Sequence, residues 1–109
     1  MLVTNDRLER ALIRLAETDE VYAALKSAML RAEYMTKVAE ALAFKSQTEG
    51  TVKEKEMTAR LAEPVMTAHD KYFDAVMEFE KCKAQREREM TVIDVWRSLE
   101  SSRRQGNIQ

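Results

Sequence analysis

The apolar residues of this chain recur at helical spacing over most of its length. The first group follows Asp6, a candidate N-cap that has Glu9 three residues further on. Its members occupy the i, i+3, i+4 and i+7 positions of one helical side: Leu8, Ala11, Leu12 and Leu15. The pattern predicts a short N-terminal helix over about residues 7–16.

A bend and a second helix are predicted next, because Thr18 and Asp19 supply a new helix start. A heptad row with alternating steps of four and three residues then predicts a long helix over about residues 19–48. The row consists of Val21, Leu25, Ala28, Ala32, Met35, Ala39 and Leu42. Beyond it, Gly50 suits left-handed backbone, and Thr51 with Glu54 forms a T-x-x-E capping box.

A third helix is predicted over about residues 52–101, with a kink near 64. Pro64 either bends this helix or stands in the first turn of a helix that restarts there. Its heptad row is Leu61, Val65, Ala68, Tyr72, Ala75, Phe79, Cys82, Arg86, Glu89, Ile93 and Trp96. A tight turn at Gly50 predicts antiparallel packing with Met35 near Val65, and the short first helix is expected to cover the end of the third.

These rows predict an all-α fold: a long antiparallel, coiled-coil-like helical hairpin with a short N-terminal helix. We expect a single domain over residues 1–102 and a flexible basic tail over 103–109. The third helix has more apolar surface than one partner helix covers, because Met66, Phe73, Val76 and Met77 widen its stripe. We therefore expect a homo-oligomer, with a dimer of hairpins forming a helical bundle favoured.

The composition supports long helices and excludes a strong electrostatic field from the chain as a whole. Charged residues make up 34% of the chain, and it contains only two glycines and one proline. Because 18 basic residues nearly balance 19 acidic ones, no overall charge attracts the molecule to nucleic acid or to a membrane. The single Cys82 forms no internal disulfide, and the N-terminal stretch MLVTNDRLER has no apolar run long enough for a signal peptide or a membrane span. We expect a cytoplasmic protein.

No residue pattern indicates catalysis, so we expect neither an enzyme nor a bound metal or cofactor. The only histidine, His69, lacks ligands at a diagnostic spacing, and we interpret it as a histidine on the helix surface or at the edge of the row. Cys82 is interpreted as a small buried hydrophobe. Arg86 and Glu89 occupy positions in the row, and we favour a solvated stretch there over a pair that sets the register of an oligomer or forms the edge of a binding groove.

The C-terminal part of the chain is basic, because residues 81–109 contain seven basic and four acidic residues. Together with an exposed Trp96, these cations form a candidate surface for phosphates and bases or for a protein partner. The candidate residues are Lys81, Lys83, Arg86, Arg88, Trp96, Arg97, Arg103 and Arg104. Single-stranded DNA binding is thus one hypothesis, and a modest asymmetry of this kind is also common in helical proteins that bind no nucleic acid.

The segment EGTVKEKE and the C-terminal stretch from Tyr72 to Ile108, with its W-R and R-R-x-G-N ending, carry a resemblance. They resemble small α-helical proteins of tailed phages and prophages of Gram-negative bacteria, encoded in the early, recombination-associated region. The resemblance implies a phage accessory protein in the infected cell's cytoplasm, and it brings no catalytic or binding residues with it. Our leading hypothesis is a non-enzymatic protein that acts by binding another protein, as a recombination accessory or an inhibitor of a host protein. The alternative is a single-stranded DNA-binding protein.

Overall fold

Three helices and no strands make up residues 3–108, the part of the chain that this computed structural model describes. They are α1 (Asn5–Lys45), α2 (Val52–Arg60) and α3 (Glu63–Ile108). α1 and α3 pack against each other in antiparallel orientation, which confirms the all-α helical hairpin. The chain divides into two units, unit 1 (Met1–Ala23 with Lys81–Gln109) and unit 2 (Ala24–Glu80).

α1 is continuous, so the predicted short first helix and the bend after it are wrong. The segment contains neither glycine nor proline, and nothing in its backbone interrupts the helical hydrogen bonds. Thr18 does not cap a new helix. Its hydroxyl donates to the carbonyl of Arg14 at 2.7 Å, which a threonine inside a helix commonly does.

The helix start at Thr51 is confirmed. The Thr51 hydroxyl accepts from the Glu54 backbone N–H at 3.2 Å, and the Glu54 carboxylate accepts from the Thr51 N–H at 3.4 Å. Gly50 has the predicted left-handed backbone, with φ of 107°. The predicted helix over 52–101 is instead two helices: Leu61 and Ala62 separate them, and Pro64 stands in the first turn of α3, one of the two outcomes expected for it.

In unit 1 the helix register matches a simple fold about Gly50, because Trp96 contacts Asn5 and Arg86 contacts Leu15. It differs in unit 2, where Glu40 contacts His69, although folding about Gly50 places a residue near 60 opposite it. Between Gly50 and α3 lies α2, whose Ala59 and Arg60 line a concavity with Glu40 of α1. The predicted flexible tail is also helical, because α3 continues to Ile108; Gln109 lies outside the described residues.

The row on α3 is confirmed, and the row on α1 is confirmed only in part, since Leu25, Ala32 and Ala39 are half-buried. Of the predicted α3 positions, all but the exposed Leu61 are buried or half-buried. On α1, Val21, Met35 and Leu42 are half or more exposed, at 50%, 50% and 63%. The neighbouring positions take their place in the packing: Tyr22, Met29, Thr36 and Ala43. The packed side of α1 therefore includes part of the predicted row and the positions next to it.

Candidate functional site

A buried carboxylate ties α1 to α3 in unit 1. Glu89 is 5% exposed and accepts hydrogen bonds from Arg7 Nη1 at 2.7 Å and Arg7 Nη2 at 3.1 Å. Arg14 Nη1 donates a third bond, at 3.1 Å. The Arg7 hydrogen bonds hold the pKa of the Glu89 carboxyl below its usual range; burial opposes this shift, and Arg14 adds to it. We call Arg7, Arg14 and Glu89 the Glu89 cluster.

Arg86 makes a second set of polar contacts one turn away on α3. Its guanidinium donates from Nη1 to the Leu15 carbonyl at 3.0 Å and to the Thr18 hydroxyl at 2.6 Å, and from Nη2 to Asp19 at 2.6 Å. It also lies over the Tyr22 ring, 5.2 Å from the centroid. The solvated stretch expected at Arg86 and Glu89 is therefore wrong: both side chains pack against α1 with partners for their charges.

The other residues of the basic end do not form one surface. Lys83, Arg97 and Arg104 are separated by multiples of seven residues and so lie along one side of α3. Lys81 and Arg88 lie along a different side, because two residues turn the helix by about 200°. Arg103 is paired with Glu100 at 2.7 Å. The predicted set is thus divided between separate sides of the helix.

Trp96 is half-buried rather than exposed as expected. Its indole N–H donates to the Asn5 side-chain oxygen at 3.2 Å. Trp96, Arg97 and Arg104 line a shallow concavity of about 300 Å³ with Glu100 and Ser101. Only this part of the predicted basic surface brings an aromatic ring and two cations together.

His69 and Cys82 have the placements expected of them. His69 Nε2 lies 3.1 Å from Glu40 Oε1 at the edge of the α1–α3 contact, and Cys82 is buried in unit 1. Over residues 3–108, histidine, cysteine and acidic side chains gather nowhere in a group of three or more that suits a metal ion. None of the helices in this range combines the length and apolarity of a membrane span.

Unit 2 has an apolar groove between α1 and α3, with a volume of about 770 Å³. Half-buried alanines form its floor: Ala32, Ala39, Ala43, Ala62 and Ala68. Met35, Val38 and Leu42 of α1 line it on one side and Pro64 of α3 on the other. Arg31 and Lys71 also line the groove, and no acidic residue does. Four members of the predicted α1 row line this apolar groove: Ala32, Met35, Ala39 and Leu42.

The lining of the groove is predominantly aliphatic. Its polar members are Arg31, Ser46, Gln47, Thr67 and Lys71. Exposed contiguous apolar surface of this kind is uncommon on isolated soluble chains and typically marks an interface. Comparison with known protein families, with curated proteins and with solved structures finds no match for this chain.

Proposed function

We propose that this chain is a non-enzymatic helical interaction protein that binds a polypeptide through its apolar groove. The exposure of Met35 and Leu42 beside a floor of alanines carries the proposal. Small side chains below and larger ones at the rim leave room for the side chains of an incoming helix. Burying these two residues removes apolar surface from water, which stabilises a complex by about 25 cal/mol for each Å² buried.

The biological setting of this proposal rests on the sequence resemblance. A phage accessory protein in the cytoplasm of an infected Gram-negative cell acts on other proteins, either as a recombination accessory or as an inhibitor of a host protein. An adaptable aliphatic groove containing methionine suits such a role, because methionine repacks readily against different surfaces. The groove is the surface through which we propose that this contact is made.

Photo-crosslinking tests the groove directly. A photo-crosslinking amino acid in place of Met35 should join the chain to another polypeptide in cells that express it. The matched control is Leu30, which is 52% exposed against 50% for Met35 but lies about 140° around α1. Crosslinks from position 35 and few from position 30 support the proposal. Equal crosslinking from both positions, or none from position 35, refutes it.

Single-stranded DNA binding is the second candidate, and the concavity formed by Trp96, Arg97 and Arg104 favours it. An aromatic ring beside two cations matches the stacking and phosphate contacts that single strands require. On this hypothesis a fluorescent oligonucleotide binds, its affinity falls steeply with salt, and Arg97→Glu weakens it. Lys81→Glu, on another side of α3, serves as the control. Salt-independent or undetectable binding rejects this candidate.

A further inference from the structure

We propose that the apolar groove binds an acidic amphipathic helix of another protein, with the apolar side of that helix on the alanine floor and its carboxylates along both walls. The inference rests on the proposed function and names the chemistry of the partner. It is carried by the length of the groove, by its apolar lining and by one unpaired cation on each of its walls.

The groove has the length and lining that a short helix requires. Its helical lining on α1 extends from Arg31 to Ala43, which is about 18 Å at 1.5 Å per residue. A helix of about 12 residues, or three turns, covers this length. Met35 and Leu42 are 50% and 63% exposed, so they remain available to an incoming apolar stripe. Such grooves bind helices whose apolar residues recur at i, i+3, i+4 and i+7.

Each wall of the groove carries a cation. Arg31 lies on α1 and Lys71 on α3, and both residues are exposed. Within the described residues neither cation is paired with a carboxylate, whereas Arg7 and Arg86 in unit 1 are paired. Glu78 follows Lys71 by seven residues on the same side of α3, but it does not line the groove. Both walls therefore offer a positive charge to an occupant.

The positions of these cations select a helix with acids on both sides of its apolar stripe. The contact between Glu40 and His69 aligns Lys71 with Val38, which is seven residues, or about 10 Å, from Arg31 along α1. A single carboxylate, as in a fatty acid, meets only one of two cations so placed. A helix with carboxylates on both flanks meets both, whereas basic flanks bring like charges together.

Binding of designed peptides tests the charge of the occupant. The probe is a fluorescein-labelled peptide of about 16 residues, with leucines along one helical side and glutamates on both flanks. The matched peptide has lysine in place of every glutamate. In fluorescence anisotropy at low salt, the acidic peptide should bind about tenfold more tightly than the basic one. Because the chain has a net charge of -1, this preference must arise locally. Equal binding of both peptides, or no binding of the acidic one, overturns the inference.

Charge reversal on the walls gives a second measure. The double variant Arg31→Glu, Lys71→Glu should bind the basic peptide more tightly than the acidic one. Lys26→Glu is the control, because Lys26 is exposed and lies about 140° around α1 from Arg31, and it should keep the wild-type preference. Circular dichroism checks that the variants remain helical. An unchanged preference in the double variant overturns the inference, and if that variant does not fold, the two peptides on the wild-type chain decide.

Other occupants of the groove give different results. A wild-type dimer in light scattering that Leu42→Glu converts to single chains would assign the groove to a second copy and overturn the inference. Saturable binding of dodecanoate that displaces the acidic peptide, and that Leu42→Glu abolishes, would assign it to a fatty acid. Equal binding of the two peptides together with crosslinks from Met35 to another polypeptide overturns the acidic partner alone and leaves the proposed function standing.

Discussion

Glu89 on α3 accepts hydrogen bonds from both terminal nitrogens of Arg7 on α1, at N···O distances of 2.7 and 3.1 Å. The two residues are 82 positions apart in the chain, so this contact links the beginning of one long helix to the later part of the other. Bidentate pairing of this kind constrains angle as well as distance. The Glu89 cluster therefore specifies how α1 and α3 align in unit 1, more than it adds stability.

Removing this carboxylate is expected to destabilise the hairpin. Glu89→Ala leaves Arg7 and Arg14 without their shared acceptor and should lower the free energy of unfolding by about 2 kcal/mol. Urea denaturation followed by circular dichroism measures the change. Glu87→Ala is the matched control, because Glu87 is exposed, and its effect should stay within about 0.5 kcal/mol. Equal effects from the two variants would contradict a structural role for Glu89.

Acid is expected to weaken the same contact. The pKa of Glu89 is lowered in the folded chain, so its stabilising contribution is present above the unfolded pKa and is lost as pH falls through the folded one. The melting temperature should therefore fall as pH drops below about 4.5, the ordinary value for glutamate. Glu89→Gln should show a smaller fall than Glu87→Gln. If the melting temperature of both variants depends on pH in the same way, acidic residues other than Glu89 cause the loss of stability.

Arg86 should require its forked geometry as well as its charge. Arg86→Met removes the donors to Leu15, Thr18 and Asp19 and should cost about 2 kcal/mol of unfolding free energy. Arg86→Lys keeps the charge but replaces the planar fork with a single ammonium, and it should recover less than half of the loss. Thermal denaturation of the three proteins provides the comparison. Full recovery by lysine would mean that charge alone is needed.

Replacing Gly50 should lower the stability of the chain because of the backbone conformation at this position. Its φ of 107° is a conformation that side-chain-bearing residues rarely adopt, and an added Cβ would lie 2.9 Å from the Glu54 carboxylate. Gly50→Ala should therefore destabilise the chain by about 1 kcal/mol in urea denaturation. Gly106→Ala, in α3 with open space around it, should be neutral or slightly stabilising. A neutral Gly50→Ala would show that this turn readily relaxes.

Much of the fold is predictable from hydrophobic spacing, and the row on α3 shows why. Large residues such as Val65 and Phe79 are buried where the heptad pattern places them. On α1 the pattern predicts only part of the packed side, because Leu25, Ala32 and Ala39 are half-buried whereas Met35 and Leu42 are exposed. Spacing reports how much apolar surface a helix has, but not which partner covers it. The apolar groove consists of apolar surface on α1 that α3 leaves uncovered.

The polar contacts were harder to predict, since each joins residues far apart in the chain. Thr18 and Asp19 match a helix start locally, but in the structure they accept from Arg86. One signal was present: Arg7 and Arg14 are seven residues apart on the helix side that faces Glu89. A row of basic residues opposite an acid in a heptad row indicates a paired charge rather than a solvated one.

The most direct test of the account is photo-crosslinking from Met35 in the apolar groove. The central claim is that this groove binds a polypeptide. Crosslinks to another polypeptide should form from position 35 and few from position 30, which is about equally exposed on another side of α1. Equal crosslinking from both positions, or none from position 35, would contradict the claim.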